Sequence, residues 1–247
     1  MTRLVLVLAA ALVLAGCGSS EVPSPSASPS GELPLDPGVL GLSCGDNNVF
    51  HPSLLAVPGH AQNDPDPAAA ALRAEITAST PELGLPRDGW VRVAQLADKV
   101  QFVAPNIARD GWVVVGVAMR NGRWELDLKG DCQPEVALPA GVSRAEWRLD
   151  AAFPKPAAGD RQIHVLINER ACASGQSPEG RVLPPIIAPS QTAMTIAILV
   201  TNRPGGQDCP GNPDFALTID LPEPLGGRTL LDGAVFPPID VTRPSSG

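Results

Sequence analysis

The five cysteines are the residues of this 247-residue chain whose chemistry is easiest to predict. Cys17 ends a Leu-Ala-Gly-Cys tetrapeptide, which closes an apolar run that begins at Leu4 and follows Arg3. A short basic start, an apolar core and small residues before a cleavage point are typical of a secretory signal. The apolar run is shorter than the about 20 residues that a membrane-spanning helix needs. We therefore expect cleavage before Cys17 rather than an uncleaved anchor.

The Leu-Ala-Gly-Cys ending resembles the lipobox of bacterial lipoproteins. The resemblance implies that residues 1–16 are a lipoprotein signal peptide and that Cys17 becomes a diacylglyceryl-modified N-terminus, with acyl chains such as palmitate. Two acyl chains give stable membrane attachment without a transmembrane helix. The expected location is the cell membrane, on its extracytoplasmic face, with the lipid anchor as the membrane contact.

The other four cysteines are expected to form two disulfide bonds, because an even number of cysteines in an exported chain indicates a disulfide framework. They allow three pairings. We favour Cys44 with Cys132 and Cys172 with Cys209, since each pair then falls inside one of the two regions described below. No two of these cysteines are separated by the spacing typical of a zinc site, and we predict no metal.

Common active-site motifs are missing from the sequence. There is no Gly-x-Ser-x-Gly elbow, no His-Glu-x-x-His helix, no phosphate-binding Gly-x-x-x-x-Gly-Lys loop and no dinucleotide fingerprint. We therefore predict no cofactor and favour a protein that is not an enzyme. The weak candidate for a catalytic serine is Ser174, in Cys-Ala-Ser-Gly.

The three histidines and four tryptophans have both a structural and a functional interpretation. His164 falls in a predicted strand and is expected to be structural. His51 and His60 lie in a Pro-rich loop near two aspartates, where a surface metal site is the alternative to a structural role. The tryptophans alternate with other apolar residues and are expected in the core, with a carbohydrate platform as the alternative; they are Trp90, Trp112, Trp124 and Trp147.

The charge distribution argues against nucleic-acid binding. The chain has 18 Lys and Arg against 26 Asp and Glu, giving a formal net charge of -8. Nucleic-acid-binding proteins carry basic patches that neutralise phosphates, and the sequence contains no basic run. We predict no nucleic-acid partner.

Residues 17–38 combine Cys17 with a Ser- and Pro-rich segment, which buries too little apolar surface to fold and is expected to be a tether. Residues 39–143 are predicted to form an α+β region. Asp66 and Pro67 suit the start of a helix that ends near Ala78. Strands follow from Val91, and Asn121-Gly122 predicts a hairpin turn. In the returning strand apolar residues alternate with charged ones: Trp124, Leu126 and Leu128 against Glu125, Asp127 and Lys129.

Residues 144–247 repeat the strand pattern without a convincing helix. Short alternating or continuous apolar strands separated by Pro- and Gly-rich turns are typical of a sandwich. The predicted fold is therefore β-rich and α+β: a helix packed on an antiparallel sheet, followed by an immunoglobulin-like β-sandwich.

The C-terminal half contains four short motifs that occur once each: Cys172-Ala173-Ser174-Gly175, Cys209-Pro210-Gly211-Asn212-Pro213, Leu221-Pro222-Glu223-Pro224-Leu225-Gly226-Gly227-Arg228 and Leu230-Leu231-Asp232-Gly233. These motifs resemble a pattern of uncharacterised secreted proteins and lipoproteins of actinobacteria, over residues 169–238. The resemblance implies no activity and no catalytic residues.

Two interpretations of the charged residues in this half remain open. In the structural one, Arg228 bonds to nearby carbonyls or pairs with Glu223 or Asp232. In the functional one, Arg228 acts with Glu169 and Arg181 as a ligand-binding site. The expected function is a non-catalytic structural or interaction module of the cell envelope, with an envelope protein or glycan as partner. The alternatives are a small-ligand or glycan-binding lipoprotein and an exported hydrolase without a recognisable motif.

Overall fold

The computed structural model describes residues 41–44, 48–56, 59–79, 84–107 and 111–243. The predicted signal peptide, the lipidation site Cys17 and the tether lie outside the described residues. Within them the chain is β-rich, with a single α-helix and both antiparallel and mixed sheets. None of the described helices is long and apolar enough to cross a membrane.

Thirteen strands are numbered here in chain order over the described residues. They are β1 (Leu42–Ser43), β2 (Val91–Gln95), β3 (Lys99–Asn106), β4 (Gly111–Arg120), β5 (Arg123–Cys132), β6 (Glu135–Val136), β7 (Val142–Leu149), β8 (Gln162–Glu169), β9 (Ile186–Pro189), β10 (Ala193–Thr201), β11 (Phe215–Asp220), β12 (Thr229–Asp232) and β13 (Ile239–Asp240).

The helix α1 spans Pro67–Ala78, as the sequence predicts. The Asp66 carboxylate accepts hydrogen bonds from the backbone N–H groups of Ala68 at 3.0 Å and Ala69 at 3.1 Å. These bonds satisfy donors that an α-helix leaves unpaired at its first turn. Pro67 costs no helical hydrogen bond at the first helical position, because an N–H group there would have had no partner within the helix.

The first sheet is antiparallel, in the order β2-β3-β4-β5. The predicted hairpin joins β4 to β5, and both turn residues have positive φ, 50° at Asn121 and 79° at Gly122. Leu72 of α1 packs on one face of the sheet, against residues such as Phe102. The opposite face is covered by the N-terminal segments through apolar residues such as Phe50. The helix-on-sheet prediction is confirmed.

The strict alternation predicted for β5 does not extend along the whole strand, because a β-bulge interrupts the pairing with β4. The irregularity lies between Gly116 and Val117. Beyond it Leu128 faces Gly116 and Lys129 faces Val115. The Lys129 ammonium therefore reaches the helix side of the sheet, where Nζ lies 3.3 Å from Oε2 of Glu75. A bulge of this kind shifts the following side chains to the other face.

Strand β10 belongs to two sheets. One of its edges pairs with β9 and, further on, with Val182. The opposite edge is divided: its C-terminal residues pair antiparallel with β7, as Ile198 does with Ala145, whereas its N-terminal residues pair parallel with β12, as Met194 does with Leu230. Strands β7 and β12 therefore diverge from the same edge of β10.

The strands connected through β10 follow the order β11-β8-β7-β10-β12-β13, with β9 also paired to β10, and they share a single hydrophobic core. On β8 the buried residues alternate with half-buried ones, as expected for a strand with one face on a core. The core includes Trp147, Ile163, Val165, Ile167, Met194, Ile196, Ile198, Ile219 and Leu230.

Two disulfide bonds confirm the favoured pairing of the cysteines. Cys44 is bonded to Cys132, at the end of β5, with their Cα atoms 5.4 Å apart. Cys172, just after β8, is bonded to Cys209, with their Cα atoms 4.7 Å apart. The second bond connects two loops that border the shared core.

The segment after β12 joins the two sheet systems. Backbone N–H groups of Val136 and Phe236 donate to the carbonyls of Ala234 at 3.0 Å and Pro134 at 2.8 Å. The ring of Phe236 lies 5.8 Å from that of Trp112, on β4. Residues 134–136 and 234–236 thus hold the first sheet to the second system.

Replacement of both Cys172 and Cys209 by Ala should lower the free energy of unfolding. Their sequence separation is 37 residues, and the chain-entropy relation for a loop of this length gives about 4 kcal/mol. Urea unfolding at neutral pH measures the difference. Cys17→Ala is the control and should leave the free energy unchanged. An equally stable double variant would contradict the prediction.

Candidate functional site

The divergence of β7 and β12 opens a cleft of about 710 Å³, here called the fork cleft. Its walls come from β7, β12 and β13 and the turn after β5. Arg144, Glu146, Trp147 and Asp232 are its central residues. Arg148, Gln133, Val235, Ile239, Asp240, Val241 and Arg243 complete the lining.

Asp232 is the most unusual group in the fork cleft, because its carboxyl is almost completely buried. It has 4% of its surface exposed and follows the core residue Leu230 on the same face of β12. Burial raises the pKa of Asp232 to about 6. The N–H of Ala234, which donates to Oδ1 at 2.9 Å, and the charge of Arg144 act in the opposite direction. This carboxyl therefore changes its protonation state near pH 6.

Arg144 lies beside Asp232 and is itself largely buried, with 11% of its side chain exposed. One terminal nitrogen lies 2.7 Å from Oε1 of Glu135, and the other lies 3.5 Å from Oε1 of Glu146. The Nε atom is buried and has no hydrogen-bond partner among the described residues. A buried donor without a partner is costly.

The remaining charged groups of the fork cleft form ion pairs. Arg148 binds both carboxylate oxygens of Asp214, at 3.1 and 2.5 Å. Arg243 lies 3.0 Å from Asp240. The two-point pairing of Arg148 fixes its guanidinium in one orientation, whereas Arg243 makes a single contact and is 81% exposed.

The cleft has the chemistry of a binding site for a polar molecule. The residues that line it in the described part of the chain include no Ser, Cys or His to act as a nucleophile or its base. The described residues also contain no group of three or more His, Cys, Asp or Glu placed to hold a metal ion. The Asp232 carboxyl and the Arg144 guanidinium are suited to hydrogen bonding, whereas the Trp147 indole N–H already donates to the carbonyl of Ile196 at 3.3 Å.

The structure brings together two of the three predicted ligand-binding residues. Nη1 and Nη2 of Arg181 donate to the two carboxylate oxygens of Glu169 at 2.7 and 2.6 Å. The same guanidinium also donates to the carbonyls of Thr201 and Ser177. Arg228 instead pairs with Glu223 at 2.8 Å. Because the oxygens of Glu169 and both terminal nitrogens of Arg181 already have partners, this geometry favours the structural interpretation.

The histidines and Ser174 also make local contacts. Nδ1 of His51 lies 2.7 Å from Oγ of Ser53 and accepts the Ser53 N–H at the start of a 3-10 helix. His60 immediately precedes a second 3-10 helix. Oγ of Ser174 donates to Gln207 and accepts from the N–H of Asp208, so it ties together the two loops that the Cys172–Cys209 bond connects.

The tryptophans lie in the core, as expected. Trp90 and Trp147 are buried, with 0% and 6% exposed, and Trp112 and Trp124 pack partly buried against core clusters. Sequence reasoning missed Asp232 as a cleft residue. Its alternation with Leu230 in Leu-Leu-Asp could have indicated an inward-facing carboxyl, once this segment was recognised as a strand.

Asp232→Asn should raise the free energy of unfolding relative to wild type, and this gain should be larger at pH 8 than at pH 4. The pKa of Asp232 in the folded protein, about 6, lies above its ordinary value of 3.8. The native state therefore binds more protons than the unfolded state, and stability falls as pH rises from about 4 to 6. Asn removes this loss, which amounts to roughly 3 kcal/mol. Urea unfolding of both proteins at the two pH values measures it.

Asp240→Asn is the matched control in the same cleft. Hydrogen bonds from Thr242 lower the pKa of Asp240, so the wild-type carboxylate stabilises the protein above the unfolded pKa, and the pH dependence of this variant should have the opposite sign. A stability difference between Asp232→Asn and wild type that does not change with pH would contradict the assignment.

Glu169→Ala should lower the free energy of unfolding by about 3–5 kcal/mol, because it leaves the Arg181 guanidinium without its buried partner. The Glu169 side chain is 0% exposed and that of Arg181 is 16% exposed. The double change Glu169→Met with Arg181→Met should recover much of this loss, since no unpaired charge remains. Urea unfolding compares the variants; equal losses in the single and double variants would show that the pair is not the cause.

No family model, curated protein sequence or solved structure matches this chain significantly. The fork cleft is therefore interpreted from its own residues. Its strongest features are the buried Asp232 carboxyl and the unpartnered Nε of Arg144.

Proposed function

We propose that this chain is a membrane-anchored lipoprotein of the cell envelope, with a folded part that acts as a non-catalytic structural or interaction module. The observation that carries the proposal is the pairing of the cysteines. Four of the five cysteines are bonded to one another, which leaves Cys17 as the single thiol for lipid attachment. Internal disulfides also suit an oxidising compartment outside the cytoplasm.

The proposed architecture of residues 144–247 is an immunoglobulin-like β-sandwich. One core shared by the strands connected through β10 supports this proposal, and so does the disulfide that connects two bordering loops. The resemblance of residues 169–238 to uncharacterised secreted proteins and lipoproteins of actinobacteria belongs to the same proposal.

A second candidate function is the binding of a small polar ligand or glycan. The fork cleft favours it, because it is lined by the Arg144 guanidinium and by the Asp232 carboxyl, which is neutral below about pH 6. Ligand sites typically have volumes of about 300–1,000 Å³ with a few convergent polar groups, and the fork cleft falls in this range. For the hydrolase alternative, the described lining of the cleft provides no Ser, Cys or His, and its carboxyl groups are those of Glu146, Asp232 and Asp240.

Cys17→Ala should abolish lipid attachment, because no other cysteine follows a lipobox. We expect loss of labelling by a clickable palmitate analogue, and the protein should be either an unprocessed precursor or released into the medium. In-gel fluorescence and phase partitioning in Triton X-114 measure both outcomes.

Ser19→Ala is the matched control, two residues from the lipidation site, and should keep full labelling. Undiminished labelling of the Cys17→Ala protein would refute the lipoprotein proposal. Non-reducing peptide mapping of the same samples checks that the two disulfides form in both variants, so a folding defect is distinguished from a processing defect.

A further inference from the structure

Phe153 is an exposed aromatic residue held rigidly at the surface of the second sheet system. Its ring stacks on the His164 imidazole, with centroids 3.8 Å apart and planes inclined by 17°. Nδ1 of His164 lies 3.0 Å from Oγ1 of Thr218, on the neighbouring strand β11, which fixes the imidazole. Phe153 remains 45% exposed. One face of the phenyl ring is therefore occupied, and the other is presented to solvent.

The loop that carries Phe153 is held by one hydrogen bond to β8 and by two hydrogen bonds within the loop. The N–H of Asp150 donates to the His164 carbonyl at 2.9 Å, and the Asp150 carboxylate accepts the N–H of Ala152 at 2.9 Å. The N–H of Phe153 donates to the Asp150 carbonyl at 3.1 Å. The phenyl ring is thus positioned before any ligand arrives, which reduces the entropy cost of binding.

Beside this ring lies a cleft of about 630 Å³ that combines apolar and hydrogen-bonding groups. Nε2 of Gln162 donates to Oδ1 of Asp220 at 2.7 Å, which pairs an amide and a carboxylate across β8 and β11. Their other oxygens remain as acceptors. The Arg161 guanidinium contacts the Pro222 carbonyl at 3.3 Å through one nitrogen and offers further donors. Phe153, His164 and these three residues are here called the Phe153 platform.

We infer that the Phe153 platform binds a neutral saccharide. A sugar ring presents an apolar C–H face, which can pack on an open aromatic face, and hydroxyl groups that both donate and accept. The amide–carboxylate pair and the guanidinium supply complementary acceptors and donors at the ring edge. Asp160, Asp220 and Arg161 line the cleft together, so it carries no excess of positive charge that would select an anionic ligand.

A proline-rich peptide fits the Phe153 platform less well. Grooves that recognise such peptides are lined by several aromatic residues, whereas this cleft combines one phenyl ring and one imidazole with three charged side chains. This inference does not depend on ligand binding in the fork cleft or on the lipidation of Cys17. A failure of the inference can therefore be distinguished from a failure of either of those two proposals.

The test uses the full chain with its lipid, purified in a detergent that has no sugar head group. Saturation-transfer NMR and titration calorimetry measure the binding of three neutral tetrasaccharides: N-acetylated chitotetraose, xylotetraose and maltotetraose. We expect binding of at least one of them, and a loss of affinity of about tenfold in Phe153→Ala. Phe153→Trp should retain binding, because it keeps a flat aromatic face.

Leu96→Ala is the matched control, since Leu96 is 56% exposed and lies just after β2, in the first sheet system; it should bind as wild type does. Urea midpoints check that all variants fold equally. The absence of binding to all three oligosaccharides would overturn the inference, and so would unchanged affinity in Phe153→Ala. Preferential binding of a peptide with the sequence of residues 22–38 would overturn it in favour of a proline-rich ligand.

Discussion

The divided edge of β10 is the constraint on which the second half of the structure depends. A strand edge offers one row of N–H and C=O groups, and here that row is shared by β7 and β12. At the point of division, the carbonyl of Ile196 accepts hydrogen bonds from the Gly233 N–H at 3.0 Å and from the Trp147 indole at 3.3 Å. The indole thus completes the hydrogen bonding where β7 leaves the strand. A Cβ atom at Gly233 would lie 2.4 Å from Cγ2 of Thr195, so the close approach requires glycine.

The properties of the fork cleft follow from this division. Because β12 takes the place that β7 would otherwise occupy, the inward-facing row of β12 continues from Leu230 to Asp232 and carries a carboxyl to the end of the core. Burial disfavours its charged form. Arg144 projects from β7 toward the same space and compensates part of that cost. The centre of the cleft is therefore a consequence of strand pairing, although Gln133, Val235, Val241 and Arg243 of its lining lie outside the strands.

The sequence predicts the elements whose signals are local. Asp66 and Pro67 mark the start of α1, and Asn121-Gly122 marks the hairpin, because a cap and a turn depend on a few adjacent residues. The two-residue strands β1, β6 and β13 were not predicted, since two residues show no periodicity. The parallel pairing of β12 with β10 joins distant segments, so the fork cleft was not predictable, whereas the alternation of Leu230 with Asp232 carried a local signal for an inward-facing carboxyl. The bulge at Asp127 was missed for a related reason: it is defined by the register of β5 against β4, where Leu128 pairs with Gly116 and Leu126 with Val117.

Charge compensation limits what either surface site can recognise. The fork cleft is lined by Arg144, Arg148 and Arg243 and by Glu146, Asp232 and Asp240, and most of these groups are already paired. The cleft beside Phe153 is likewise lined by charges of both signs, namely Arg161 with Asp160 and Asp220. Long-range attraction depends on an unbalanced field, which is small at both sites, although the whole chain carries a formal charge of -8. Recognition must therefore come from hydrogen-bond geometry and ring contact at short range, which are the interactions that distinguish one uncharged polyhydroxyl ligand from another.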